Sequence, residues 1–184
     1  KAVAPETLER EQAHEAARQR DRALAALTQD LGARYSRERT SFAAFQVYHA
    51  SQKAALAKVQ AIAGALAAAK VEDVPNVVLF GSVGTGKDHL LSALLYAAAG
   101  HGLLCRWRNG KDLFGLLRDR MDAGLAEEKL LQELAEPAVL VLSDVVASID
   151  NANPWRLEFL YRLIERRYRA LRPVWMTLNA SSPA

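Results

Sequence analysis

The sequence predicts an α/β fold of three layers, a mostly parallel sheet with flanking helices, preceded by an N-terminal helix. Three observations predict it. Beyond Pro75, the short apolar runs Val77 to Phe80, Leu103 to Trp107, Ala138 to Leu142 and Val174 to Leu178 alternate with longer helical stretches. Strands separated by helices need right-handed crossovers, and so lie parallel in a sheet covered on both faces. A glycine-rich loop follows the first run directly and opens the first of those helices. Finally, 34 of the 184 residues are alanine, which loses no side-chain entropy in a helix, so more helix than strand is expected.

In chain order, Glu6 to Leu31 is rich in Glu, Arg, Gln and Ala, and Leu24, Leu27 and Leu31 form a narrow stripe at helical spacing. It reads as a helix with a mostly wet surface. Gly32 to Val47 breaks the pattern with Arg34, Arg37, Arg39 and then Phe42 and Phe45, and is expected to be an ordered connector. Leu56, Val59, Ile62 and Leu66 mark a second helix over Ser51 to Ala69, with Ser51 its expected N-cap. The helices after Pro75 are expected at Asp88 to Ala99, Lys111 to Ala123, Glu127 to Ala135 and Pro154 to Leu171. The division this suggests is an N-terminal helix or linker over residues 1–31 and a core over residues 32–184.

Composition removes several classes. At 51% hydrophobic and 24% charged, the chain can bury a real core and is not disordered by default. No apolar run approaches the roughly 20 residues that cross a bilayer. Cys105 is the only cysteine, so no internal disulfide or cysteine-built zinc site is possible, as expected of a reducing compartment, and a cytoplasmic location is expected. His14, His49, His89 and His101 show no metal-ligand spacing. The net charge of +3 and a pI near 9.1 permit contact with polyanions without demanding it. The sequence opens at Lys1 without Met, and a shortened amino terminus is expected. Trp107, Trp155 and Trp175 lie in or beside apolar elements and are expected in the core.

The loop Gly81-Ser82-Val83-Gly84-Thr85-Gly86-Lys87-Asp88 stands between a strand and a helix, the order a P-loop requires. Its glycines let backbone N–H groups converge on phosphate oxygens, the helix adds its positive end, and Lys87 can reach the β and γ phosphates. The eighth position normally carries a hydroxyl that coordinates Mg²⁺, and here it is Asp88. A carboxylate there repels a bare triphosphate; bound to Mg²⁺ it can instead be a stronger ligand.

The run Ala138 to Leu142 ends in Ser143-Asp144, the form of a Walker B strand, which delivers one acid to Mg²⁺ and a second to the attacking water. One acid is present instead of two. If Ser143 takes the first position, hydroxyl and carboxylate have been exchanged between positions 143 and 88 and the total charge is unchanged. The same departures also describe a catalytic apparatus that has decayed while binding persists. The fourth run ends in Thr177-Leu178-Asn179, which puts an amide at the carboxyl end of the sheet, where ligands of open α/β folds bind.

With these residues in view, the chain resembles the DnaC/IstB branch of AAA+ ATPases, which contains bacterial helicase loaders and transposition helpers. The resemblance covers about Leu31 to Asn179 and rests on RY followed by SFAAF, then GSVGTGKDHLLSAL, WRNGKDLFGLLRD, AVLVLSDV, LYRLIERRYRALRP and WMTLN. It implies a P-loop AAA+ core that binds ATP or ADP with Mg²⁺. Gly81, Ser82, Val83, Gly84, Thr85, Gly86, Lys87, Asp88 and His89 would surround the nucleotide, although packing is the plainer role for His89. Lys87 is then the Walker A lysine, Ser143 and Asp144 stand at the Walker B acids, and Asn179 stands at sensor 1. Catalysis would fall to Lys87, Asp144 and Asn179, and Mg²⁺ to Asp88, Ser143 and Asp144. ATP hydrolysis is the expected activity, and Asp88 and Ser143 are the positions on which it turns.

The resemblance further implies self-assembly and a replicative helicase to be loaded on single-stranded DNA, or a transposase as partner on duplex DNA. A nucleotide-binding scaffold that does not hydrolyse ATP is the reading from another class. The family's fifth strand and arginine finger cannot be assigned to residues of this sequence. Arg162, Arg166, Arg167 and Arg169, interleaved with Tyr161 and Tyr168, are candidates for holding a single strand by charge and stacking. The same arginines also suit a solvated helix face paired with Glu158 and Glu165. Phe42 and Phe45 can flank an adenine or pack under the second helix.

Overall fold

The four apolar runs become four strands of one sheet in the computed structural model, which describes residues 5–145 and 154–179. Strands β1 (Val77–Phe80), β2 (Cys105–Asn109), β3 (Val139–Ser143) and β4 (Val174–Leu178) lie in the order β1-β4-β3-β2, all parallel. Helices α1 (Pro5–Leu31), α2 (Ala50–Ala65) and α3 (Lys87–Gly100) cover one face; α4 (Gly110–Asp122), α5 (Glu127–Ala135) and α6 (Pro154–Arg169) cover the other. The pleat of β3 sorts the two cores. Val139 and Val141 meet Leu91, Leu94 and Trp175, while Leu140 and Leu142 meet Leu113, Leu130 and Phe159.

Several boundaries differ from the sequence reading by a residue or two and α2 ends four residues early, at Ala65; at two of them a side chain or cap redirects the backbone. β2 starts at Cys105 and not at Leu103, since the end of α3 uses the intervening N–H groups. Gly102, at φ +83°, donates to Ala99 O at 2.9 Å and Leu103 donates to Ala98 O at 3.2 Å, the paired bonds that close a helix on a left-handed residue. α2 starts at Ala50 with His49 as its cap, not Ser51, because Gln52 Oε1 reaches back to accept the Tyr48 and His49 N–H groups at 2.8 and 3.0 Å.

The last turns of α1 are built into the core through Ala23, Leu27 and Leu31. Asp30, at the same end, accepts the Trp107 backbone N–H at 3.2 Å and pairs with Arg106 and Arg108 at 3.2 and 3.1 Å. The outer edge of β2 is thereby occupied by a carboxylate, one of the ways a sheet edge is closed to further pairing. At the opposite edge, no strand among the described residues pairs with the outer side of β1, and Val78 and Phe80 are half exposed. Leu157, Tyr161, Ile164, Tyr168 and Leu171 form an exposed stripe along α6 and its exit. Among the described residues no helix is long and apolar enough to cross a membrane.

Candidate nucleotide site

Parallel strands deliver their carboxyl ends to one rim, so Gly81 and Asn179, just after β1 and β4, and Asn109 and Ser143, the last residues of β2 and β3, lie on the same edge as the start of α3. The loop between β1 and α3 turns through Gly84 and Gly86, at φ +82° and +85°. Thr85 Oγ1 donates to Ser82 O at 2.8 Å and holds the turn. Lys87 Nζ donates to Gly81 O and Ser82 O, both at 2.9 Å, and to Asn179 Oδ1 at 2.8 Å. The structure thus brings the predicted loop lysine and the predicted sensor amide into direct contact across 92 residues of chain.

Gly86 is needed twice over. A side chain there is strained at that φ, and a Cβ would lie 2.5 Å from the Phe45 ring. Gly86→Ala is expected to cost about 2 kcal/mol of stability and to weaken nucleotide binding with it; an unchanged urea midpoint would show that the loop yields without strain. Phe45 also meets His89 edge-on, with centroids 5.2 Å apart, and His89 Nε2 lies 2.9 Å from Ser41 O. His89 is therefore packed against the connector while it lines the cleft. Phe42 packs at the edge of the core.

Asp88 sits at the centre of a hydroxyl cluster. Its Oδ1 accepts from Ser143 Oγ at 2.9 Å and Thr177 Oγ1 at 3.1 Å, and its Oδ2 accepts from Tyr35 OH at 3.2 Å. Positions 88 and 143, which the sequence offers as exchanged partners, therefore touch. Thr177 Oγ1 also accepts the Asp144 N–H at 3.1 Å, and Asp144 holds φ +50°, a conformation few non-glycine residues adopt. Asp144 Oδ1 is buried and has no hydrogen-bond partner. Burial, and then the neighbouring Asp88 charge, raise the Tyr35 pKa, so the phenol is protonated at neutral pH.

Of these groups Tyr35, Asp88 and Asp144 line a cleft of about 360 Å³, together with Arg34, Lys87 and Asn179. A smaller hollow of about 140 Å³ between α2 and β1 shares Lys87 with it and adds His49, Gln52, Leu79, Thr85 and Leu90. Glycine-bounded amides, a lysine and a polar strand end suit phosphate groups, and the apolar hollow beside them suits a flat base. The oxygen donors also fit a hard divalent cation: Asp88 and Asp144 share the cleft, and the orphaned Asp144 oxygen is a buried acceptor that a cation would satisfy. Sequence reasoning missed Tyr35, Thr177 and Arg34 as site residues.

The arginines of α6 divide differently from the expectation. Arg167 is fully buried, with its guanidinium donating to the carbonyls of Leu134, Ala135, Pro137, Ala138 and Pro173 at 2.8 to 3.2 Å. It cannot touch a nucleic acid: it caps the carboxyl end of α5, and burial lowers its pKa to about 10. Arg162 pairs with Glu127 and Glu128, and Arg166 with Glu128. Arg169 pairs with Glu165 at 2.6 Å and stays exposed.

A parallel sheet with helices on both faces and a glycine loop feeding α3 defines a P-loop nucleotide-binding domain of AAA+ type. The sequence profile of the IstB-like ATP-binding proteins matches residues 4–181, and the chain belongs to that family. Its solved neighbours include the DnaC helicase loader, with TM-score 0.69 and 27% identity over 83% of this chain and 82% of that one. AMPPCP-bound DnaA from Aquifex aeolicus, at TM-score 0.64 and 18% identity over 77% of this chain and 42% of that one, shares the fold. The Escherichia coli K12 protein YdaV, itself uncharacterized, is 29% identical over 144 residues. Those residues are 78% of this chain and 56% of YdaV, so the chain spans little more than half of that relative's length.

Proposed function

We propose that this chain is the ATPase core of a DNA-acting AAA+ protein of helicase-loader type, binding ATP with Mg²⁺ and using the bound state to control a partner. The observation that carries the reading is the meeting of Lys87 with Asn179 at 2.8 Å beside the Asp88–Ser143 contact. Three strand ends and the loop thereby converge on one cleft. Lys87 and the loop amides grip the phosphates. Asp88, with Ser143 or Asp144, holds Mg²⁺, which neutralises phosphate charge, and Asn179 contacts the terminal phosphate or its water. The likeness to the DnaC helicase loader supports a helicase as partner; we take that helicase to be a replicative one and the polymer on which it acts to be single-stranded DNA. Arg169, with Tyr161 and Tyr168, is the exposed set on α6 to contact it.

Membership of the IstB-like family supports a second reading, a transposition helper with the same core and a transposase as partner. Capture of a hexameric helicase rather than a transposase by the purified chain separates the two. The deciding experiment on the core is ATP turnover with and without single-stranded DNA. Turnover that DNA alters, with strand affinity falling as salt rises, is expected of a loader. Tight ATP binding with no turnover under either condition would make the protein a nucleotide-gated scaffold, with Asp88 and Ser143 marking lost hydrolysis.

A further inference from the structure

Asp88 is held by three hydroxyl donors, and one of them comes from outside the loop and strands that build the site. An ionised carboxylate offers about four lone-pair positions. Ser143, Thr177 and Tyr35 occupy three of them, two on Oδ1 and one on Oδ2. Tyr35 is fixed independently of this contact. Its ring packs on Trp107 with centroids 5.7 Å apart, and its own carbonyl accepts the Tyr96 hydroxyl at 3.1 Å. Thr177 is fully buried, and because its Oγ1 already accepts the Asp144 N–H, its single proton is directed to the Asp88 carboxylate at 3.1 Å in preference to the more distant, neutral Ser143 Oγ at 3.3 Å. The same threonine thus ties the Asp88 carboxylate to the backbone that presents Asp144.

We propose that Tyr35 and Thr177 are positioning residues that orient Asp88 as a ligand for the divalent cation accompanying the nucleotide. The inference rests on the nucleotide-binding reading above and assigns neither residue a contact with the reacting atoms. Ligating carboxylates depend on hydrogen bonds from an outer shell, and loss of one such partner typically costs about 10- to 100-fold in metal affinity. Replacing the usual hydroxyl at this position by a longer, negatively charged side chain makes that outer shell necessary: an unrestrained Asp88 swings toward Lys87 or against the phosphates. Tyr35 follows the end of α1 by four residues, so the amino-terminal helix and the cation site share one short segment.

The test is the dissociation constant of ADP measured on the whole chain with Mn²⁺ and again in EDTA, with Mn²⁺ binding followed by its paramagnetic resonance signal. Tyr35→Phe keeps the ring on Trp107, and Thr177→Val keeps the buried volume. In each variant the gain in ADP affinity conferred by Mn²⁺ is expected to shrink by about 10-fold. On an Asp88→Thr background, Tyr35→Phe is expected to move that gain by less than about twofold, since its route of action is gone. A merely structural role would weaken ADP equally in both buffers and leave the gain intact, and that result overturns the proposal. So does a loss of equal size on the Asp88→Thr background, or a wild-type chain indifferent to Mn²⁺. If Tyr35→Phe fails to fold, Thr177→Val carries the same comparison. Absence of ADP binding in both buffers would instead overturn the nucleotide reading itself.

Discussion

Lys87→Ala is expected to weaken ATP binding by at least about 100-fold, because it removes charge-assisted hydrogen bonds to phosphate worth about 1.5–3 kcal/mol each. The loss is aggravated by what remains. Asp88 and Asp144 line the same cleft, and without the ammonium group their negative charge faces the triphosphate opposed by Arg34 alone of the two basic side chains, Arg34 and Lys87, that line it. The fold is expected to survive, since the acceptors Lys87 leaves behind are the exposed Asn179 amide and two carbonyls of a surface loop. Calorimetric titration of ATP against both proteins, beside their melting curves, checks both halves. Unimpaired ATP binding by a folded Lys87→Ala protein would place the nucleotide elsewhere.

Arg167→Met is expected to destabilise the protein by about 4 kcal/mol, because buried carbonyls left without a partner cost about 1–3 kcal/mol each. Five carbonyls lose the guanidinium at once, four of them at or just beyond the end of α5 and one at Pro173 before β4; Ala135 O keeps Arg172 and Pro173 O keeps the Leu140 N–H as donors. Methionine replaces the side-chain volume but supplies no N–H, so buried acceptors are left unmade. Arg167→Lys is expected to recover only part of the loss, because an ammonium has three donors and no planar fork. Urea denaturation measures both. A cost below about 1 kcal/mol for the methionine variant would mean that water replaces the guanidinium.

Much of the site was legible because chain order and strand direction are enough to place it. Once Val77–Phe80, Val139–Ser143 and Val174–Leu178 read as parallel strands, whatever follows each of them lies on one rim. Hence spacing was enough to put the loop, Asp144 and Asn179 on that rim. Tyr35 was not, since a hydroxyl that reaches Asp88 across 53 residues from a connector leaves no periodic trace. Thr177 stood inside a strand motif, where its inward pleat was readable but its partners were not. Arg167 was misassigned by residue type. Its position did carry the signal: it follows Leu160 by seven residues and Leu163 by four, and so continues the core stripe of α6.

The two edges of the sheet have unequal prospects. Asp30 occupies the edge of β2 at Trp107, whereas among the described residues no strand pairs with the outer side of β1, beside Val78 and Phe80. Growth of stacked strands into a fibre needs both edges of every unit to accept a neighbour. A unit with one blocked side ends such growth after a single addition. The aspartate at the end of α1 thus denies the middle of β2 to a strand from another chain.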